Sequence, residues 1–386
     1  MAIAPMPGAA TMRGLSGFGR GLAAAGLTTA AGLAAERLSR DRRLAVALDE
    51  ARGARHGLYE ETPDETLRVR TTDGVELHVE IDHARHSASP PALPGEALPT
   101  IVFTHGYCLS GRCWVFQRRQ MRDAGYRVVL WDLRGHGRSE AGESGSCTID
   151  QLGADLATVL EAAVPEGPIV LVGHSMGAMA MMSLGLHHPE LVRHRVIGAA
   201  FVATSTGGLS SLTFGVGTLP GRAVWRVGPT LTRRLAGSQG QVDSVVRAGR
   251  DLLNFFTNWG SFASPVPMSI IDFSSSMLYN TRLDVVSAFM PRLNEHDKVE
   301  ALAAYHGLET LVLNGADDRL TPPDHSEAIV RLLPGSEHVV CDLAGHLIML
   351  EHPGLLNEHL VDLVARSRRA TRSLPDHRAQ RQAAFS

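Results

Sequence analysis

Few residue types are scarce in these 386 residues, but each scarcity excludes something. The four cysteines, Cys108, Cys113, Cys147 and Cys341, fit no CxxC or zinc-ligand spacing, so neither a disulfide framework nor a structural metal site is expected. Lysine is almost missing: Lys298 is the only one, and every other basic side chain is arginine, a mark of GC-rich coding DNA. Charge of one sign is also lacking, since 37 basic residues stand against 40 acidic ones. No basic field is available for nucleic acid, and none is expected as a partner. No stretch approaches the 18 or so uninterrupted apolar residues of a bilayer-spanning helix. No glycine-rich phosphate loop or arginine cluster marks a nucleotide or phosphorylated substrate.

What is present is an enzyme-sized chain, and roughly 150 residues per domain gives a starting expectation of two or three domains. Gly21 to Ala35 contains only Gly, Ala, Leu and Thr, and a charged run from Glu36 to Arg43 follows. A weak export signal, an interfacial segment and a flexible extension all fit this leader, residues 1–65. The expected location is therefore cytoplasmic, with membrane association or export left open by the leader.

Thr66–Arg70 and Val75–Asp82 are β-rich runs joined by Thr-Thr-Asp-Gly, a hairpin signal. From residue 100 short apolar runs alternate with helical patterns: Ile101–Phe103, a helix over Val115–Ala124, Val128–Trp131, then a helix opened by a Thr148/Gln151 capping box. Ile169–Val172 and Val196–Val202 have the unbroken apolar character of strands buried on both faces, with a helix over Met176–His187 between them. The four methionines of that helix are expected to fill core. Residues 205–300 break the rhythm, which resumes with Leu311–Leu313, a helix opened by Thr321-Pro322-Pro323-Asp324, a strand over His338–Leu343 and a last helix from Pro353 to about Arg366. A parallel sheet with crossover helices is the expected architecture, with an insertion over the carboxyl ends of its strands.

Gly173-His174-Ser175-Met176-Gly177 follows one buried strand directly and opens a helix. Reversal from strand to helix in so few residues holds the serine in a strained conformation at the positive end of the helix, and side chains at 173 or 177 would collide with the turn.

Together with Phe103-Thr104-His105-Gly106-Tyr107, Trp131-Asp132-Leu133-Arg134-Gly135-His136-Gly137-Arg138-Ser139, Asn314-Gly315-Ala316-Asp317-Asp318-Arg319-Leu320-Thr321-Pro322 and Ala344-Gly345-His346, this elbow makes residues 66–367 resemble a serine-nucleophile α/β-hydrolase of the esterase and lipase kind, with a cap insertion. The resemblance implies a core in two parts, 66–204 and 301–367, a cap over 205–300 and a basic tail over 368–386. It implies the order serine, acid, histidine: Ser175 as nucleophile, His346 as base, and Asp318 in preference to Asp317 by the spacing from Gly315 and to Pro322. The oxyanion donors would be the backbone N–H groups of Met176 and Tyr107, with Gly106 permitting close approach. Tyr107 has two further readings, its hydroxyl turned toward the site or its ring used in packing. Cys108, without a base, reads as a small hydrophobe. No metal and no organic cofactor is implied.

The expected reaction is cleavage of a carboxylic ester through an acyl-enzyme. Acyl transfer to another acceptor, cofactor-free perhydrolysis, carbon–carbon hydrolysis on the same triad and a non-catalytic binding protein are the alternatives. Ser175 disfavours epoxide and haloalkane chemistry, because a serine attacking an alkyl carbon would give an inert ether. The insert holds Phe214, Trp225, Phe255, Phe256, Trp259, Phe262, Phe273, Tyr279 and Phe289, nine of the chain's 20 aromatic residues. Its own core and an apolar substrate pocket both account for them. Arginines gather at both ends: Arg37, Arg40, Arg42 and Arg43, then Arg366, Arg368, Arg369, Arg372, Arg378 and Arg381. Solvated tails and peripheral contact with an anionic membrane both account for these.

Overall fold

The computed structural model describes residues 40, 43–49, 57–85, 96–209 and 260–373. Eight strands form one sheet: β1 (Glu65–Arg70), β2 (Glu76–Asp82), β3 (Thr100–Thr104), β4 (Arg127–Trp131), β5 (Ile169–His174), β6 (Val196–Val202), β7 (Glu309–Gly315) and β8 (Glu337–Cys341). Their order is β1-β2-β4-β3-β5-β6-β7-β8, with antiparallel pairing only at β1-β2 and β2-β4. The remaining pairs are parallel, as the unbroken apolar runs require.

The side-chain period of two divides each central strand between two cores. Val102, Val129, Leu171, Phe201 and Val312 face α2 (Ile149–Ala163) and α3 (Met176–His187). Ile101, Phe103, Val128, Leu130, Val170, Val172, Leu311 and Leu313 share the opposite core with α1 (Val115–Asp123) and α9 (Pro353–Ser373). All four methionines of α3 are fully buried, each at 1% exposure or less. A fully buried aliphatic side chain contributes about 1.5–3 kcal/mol, so this sheet is the rigid frame from which the loops are hung. Further helices among the described residues are α4 (Pro189–Arg195), α5 (Met268–Asn280), α6 (Leu283–Asn294), α7 (Pro323–Leu332) and α8 (Ile348–Glu351).

Several local expectations need correction. The capping box is half formed: Thr148 Oγ1 accepts from Gln151 N–H (3.1 Å), but the Gln151 amide donates forward to Asp155 Oδ1 (3.1 Å). The last strand stops at Cys341, and α9 runs on to Ser373, past the expected end at Arg366. Ser367 is fully buried, packed so close to β6 that a Cβ on Gly198 would lie 2.2 Å from its hydroxyl. Three of the C-terminal arginines pair with acidic residues of the fold. Arg368 and Arg372 both pair with Glu96, and Arg366 pairs with Glu309 and Glu337. Arg378 and Arg381 lie outside the described residues.

The described part of the leader belongs to the fold. Residues 43–49 are helical and Ala45 is buried, while Asp49 accepts from the N–H (2.9 Å) and hydroxyl (2.6 Å) of Ser269. Asp49 thus caps the first turn of α5 from far along the chain. Tyr59 stacks on Phe273 of the same helix at 4.8 Å. Among the described residues no helix is long and apolar enough to cross a membrane.

The chain leaves the sheet after β6 and returns before β7 through neighbouring segments. Gly207 bridges to Asp297, and Lys298 N–H donates to the Thr206 carbonyl (2.7 Å). Lys298, the sole lysine, pairs with Asp150 (2.9 Å) and fastens this neck to α2. Helices α5 and α6 meet loops at the carboxyl ends of the strands. Val285 closes against Gly135, and Tyr107 donates its hydroxyl to the Val286 carbonyl (2.6 Å).

Candidate active site

Strand β5 ends at His174 and is followed by Ser175, whose φ of 51° and ψ of −119° lie outside the regions an L-residue ordinarily takes. Such a conformation costs about 1–3 kcal/mol and persists only where neighbours fix it. Here Ser175 N–H donates to the Val202 carbonyl (2.9 Å), and Thr204 Oγ1 donates to the Ser175 carbonyl (2.9 Å). A Cβ at Gly173 would sit 2.5 Å from Met181 Sδ, and one at Gly177 would sit 2.4 Å from the Thr104 carbonyl, so both glycines are steric requirements. From Ile169 to Gly185 every residue is buried except Ser175, which the turn lifts out of the core.

The loop after β7 carries the adjacent aspartates to opposite environments. Asp317 is exposed, with its N–H donating to the Ala344 carbonyl (3.0 Å). Asp318 is buried, and its Oδ2 accepts from His346 Nδ1 (2.8 Å). Oδ1 accepts from the N–H groups of Leu320 (2.8 Å) and Thr321 (2.9 Å), and the Thr321 hydroxyl donates to Oδ2 (2.8 Å). Burial pushes this carboxyl up, but His346 and the two N–H donors outweigh it and hold the group below the ordinary aspartate value. A carboxylate only accepts, so His346 Nδ1 carries a proton and Nε2 is left as the ring's basic nitrogen. The close passage of this loop beneath the His346 loop needs Gly315, where a Cβ would lie 2.1 Å from the Ala344 carbonyl.

His174 ties this pair to the elbow. Its Nε2 donates to the His346 carbonyl (2.9 Å), and the two rings are 4.7 Å apart. Burial, and then the neighbouring His346, push His174 well below the ordinary histidine value, so it is a neutral support. The Gly106 loop closes the third side: a Cβ there would be 2.6 Å from His174 Nδ1 and 3.1 Å from Ser175 Cβ.

Tyr107 follows Gly106, and Met176 opens α3. Among the described residues neither backbone N–H has a protein acceptor. For Met176 this follows from its place in the first turn, where no helical carbonyl is available. The Tyr107 hydroxyl is spent on Val286, so of the two readings of this side chain it serves packing. Cys108, at φ 59°, is buried, and burial pushes its thiol up to about 12; it has no nucleophilic character. His105 is held in one tautomer, donating from Nδ1 to the Gly106 carbonyl (2.8 Å) and accepting at Nε2 from Leu133 N–H (2.9 Å).

Ser175, Asp318, His346, Gly106, Tyr107, Gly173, Met176 and Gly177 are therefore brought to one end of the sheet. Thr321 and Thr204 were not anticipated. Thr321 stands inside the quoted loop beside Pro322, where its hydroxyl is a signal, whereas Thr204 acts across strands and leaves none. Of the nine aromatic residues of 205–300, Phe214, Trp225, Phe255, Phe256 and Trp259 lie outside the described residues. Phe262, Phe273 and Phe289 are buried in packing, Phe289 against His136 (5.7 Å).

Residues 99–353 match the family described as alpha/beta hydrolase fold. Among curated relatives, an sn-1-specific diacylglycerol lipase of Mus musculus is 27% identical over 265 residues, 68% of this chain and 80% of that protein. A non-heme chloroperoxidase of Streptomyces lividans is 27% identical over 276 residues, 70% of this chain and 93% of that one. Among solved structures, a thermophilic esterase from Thermogutta terrifontis superposes with a TM-score of 0.57 at 23% identity, covering 79% of this chain and 99% of the esterase. That structural likeness bears on the fold.

Proposed function

We propose that this chain, which belongs to the alpha/beta hydrolase fold family, cleaves carboxylic esters through an acyl-enzyme on Ser175. The observation that carries the reading is the buried Asp318–His346 pair (2.8 Å) held by His174 beside a serine that alone leaves the core.

In this reading His346 Nε2 takes the Ser175 proton as Oγ attacks the ester carbonyl, across a hydrogen bond that forms with substrate bound. The Met176 and Tyr107 N–H groups receive the resulting oxyanion. Collapse expels the alcohol, which leaves with the proton from His346. Water then attacks the acyl-enzyme, giving its proton to Nε2, and the second collapse releases the acid and returns that proton to Ser175. Asp318 stabilises the transient imidazolium and stays ionised throughout. Residues 205–300 act as a cap, and their aromatic content supports an ester with an apolar acyl or alcohol part.

A fluorophosphonate probe is expected to label the protein, with labelling lost in Ser175→Ala. A folded parent that fails to label would instead favour a binding protein. Across p-nitrophenyl esters from acetyl to palmitoyl, a preference confined to acetyl would count against the apolar part. The resemblance to a chloroperoxidase supports one second reading, perhydrolysis, in which hydrogen peroxide replaces water as the attacking species. Peracid formed from ester in competition with free acid would establish it.

A further inference from the structure

Four of the hydrogen bonds that hold the short segment Gly345-His346-Leu347 run toward two different bodies. Two go to the sheet's own loops, from His346 Nδ1 to Asp318 and from His174 to the His346 carbonyl. The other two lead toward residues 261–264, part of the insertion between β6 and β7. Leu347 N–H donates directly to the Ser261 carbonyl (3.0 Å). Gly345 N–H donates to Glu351 Oε2 (2.7 Å), and the other oxygen of that carboxylate accepts from Ala263 N–H (2.8 Å), Ser264 N–H and the Ser264 hydroxyl (2.7 Å). Glu351 thus has one oxygen on the base-carrying loop and one on the insertion. The two segments are also in steric contact: a Cβ at Gly345 would lie 2.6 Å from the Ser261 carbonyl and 3.0 Å from Ala263 N.

We propose that Glu351 is the positioning residue through which the seated cap sets His346. The inference rests on the reading of His346 as the base, and it adds a regulation of that site. With residues 261–264 in place, both N–H groups flanking His346 are satisfied and the loop that carries its ring is held from the cap side as well as from the sheet. When that segment lifts, Glu351 loses three donors, Gly345 loses its fixed acceptor, and Leu347 N–H loses its carbonyl. The bonds to Asp318 and His174 remain, as do those from Leu350 and Glu351 N–H to the Leu347 carbonyl, and Gly345-His346 is then held from the sheet side alone. Turnover is then conditional on cap seating, although no cap residue enters the chemistry. The second catalytic loop has a parallel tie, since Tyr107 is bonded through its hydroxyl to Val286 of α6.

Glu351→Gln removes the charge and one of the two bridging acceptors while keeping size. Charge-assisted hydrogen bonds set the expected scale, a fall in kcat of about tenfold with little change in KM. Amide exchange at Gly345 and Leu347 should rise together with exchange at Ala263 and Ser264. Ser264→Ala, a milder change on the cap side that keeps the fold, should raise Gly345 exchange and slow fluorophosphonate labelling by a smaller factor. Exchange that responds in a parent protein that never labels would sink the catalytic reading and leave the coupling standing. Normal kcat per folded molecule in Glu351→Gln, or Gly345 exchange indifferent to Ser264→Ala, would overturn the coupling.

Discussion

Two polar clusters in this molecule are each built around a buried aspartate and serve opposite ends. Arg134, fully buried, grips both oxygens of Asp155 (2.7 Å each), reaches Asp73 (2.8 Å) and donates to Ser146 Oγ (2.7 Å). The direct hydrogen bond from Arg134 is the largest influence on Asp73, which is pulled down to about 2. Burial prevails at Asp155, pushing it up despite Arg134. The cluster is closed, with its guanidinium spent inside the protein. Around Asp318 the balance is reversed, because His346 and two backbone N–H groups outweigh burial. His346 Nε2 has no protein partner among the described residues. A closed cluster stabilises the fold, and a cluster with one open position is available for chemistry.

The largest effect expected from breaking this contrast is in turnover. Asp318→Asn should lower kcat by about 10⁴-fold, because an amide can present N–H to His346 and favour the wrong tautomer. Asp317→Asn, on an exposed side chain, should leave kcat unchanged. Steady-state kinetics on one ester decides between them, and equal losses would overturn the assignment of the acid.

The closed cluster should respond in stability. Arg134→Met leaves Asp155 buried and uncompensated, which costs about 3–5 kcal/mol. The loss should appear as a lower urea midpoint, while kcat per folded molecule stays at the parent value. Adding Asp155→Leu should recover much of the loss, since an apolar pair of similar volume replaces a buried ion pair at little cost. A matching fall in kcat would show that the two clusters are not separate in function.

This contrast was only half legible in the sequence. The strand positions, the elbow glycines and the acid, base and nucleophile all sit in short local patterns, so alternation and motif order were enough to propose them. Arg134 was visible within its motif, but its partners Asp73 and Asp155 lie 61 and 21 residues away along the chain, and local pattern does not reveal such pairing. The pairing of Arg368 and Arg372 is hidden in the sequence for the same reason: their shared counter-charge, Glu96, is 272 residues from Arg368. Ser175, Cys108, Ala203 and Leu343, the non-glycine residues with positive φ among those described, all follow the carboxyl ends of strands. Of these only Ser175 was announced by flanking glycines on both sides.

A smaller effect concerns pH. Burial lowers His105 to about 4 and His136 to about 3 from an ordinary 6.5, with His105 adding to the effect on His136. Both rings are neutral in the folded protein below pH 6.5, whereas the unfolded chain takes up their protons. The unfolded state therefore binds more protons, and stability falls as pH drops from 6.5 toward 4, by up to about 1.4 kcal/mol per pH unit for each histidine. Urea midpoints measured across that window should decline before the carboxylates titrate. His136→Phe should flatten the slope by one proton's worth, and an unchanged slope would mean that His136 is not held neutral.

The smallest effect tests how finely the open cluster is set. Thr321 Oγ1 donates to the same Asp318 oxygen that receives the His346 proton donor, while the Thr321 and Leu320 N–H groups hold the other oxygen. Thr321→Val keeps the shape and both N–H bonds and removes only the hydroxyl. One neutral donor contributes about 1 kcal/mol, a several-fold fall in kcat if Asp318 is thereby less well aimed. Because Thr321 does not touch substrate in this reading, KM should stay put, and Thr321→Ser should restore kcat. A loss as large as that of Asp318→Asn would mean that the hydroxyl holds the loop itself, and that the carboxylate is not positioned by its backbone donors alone.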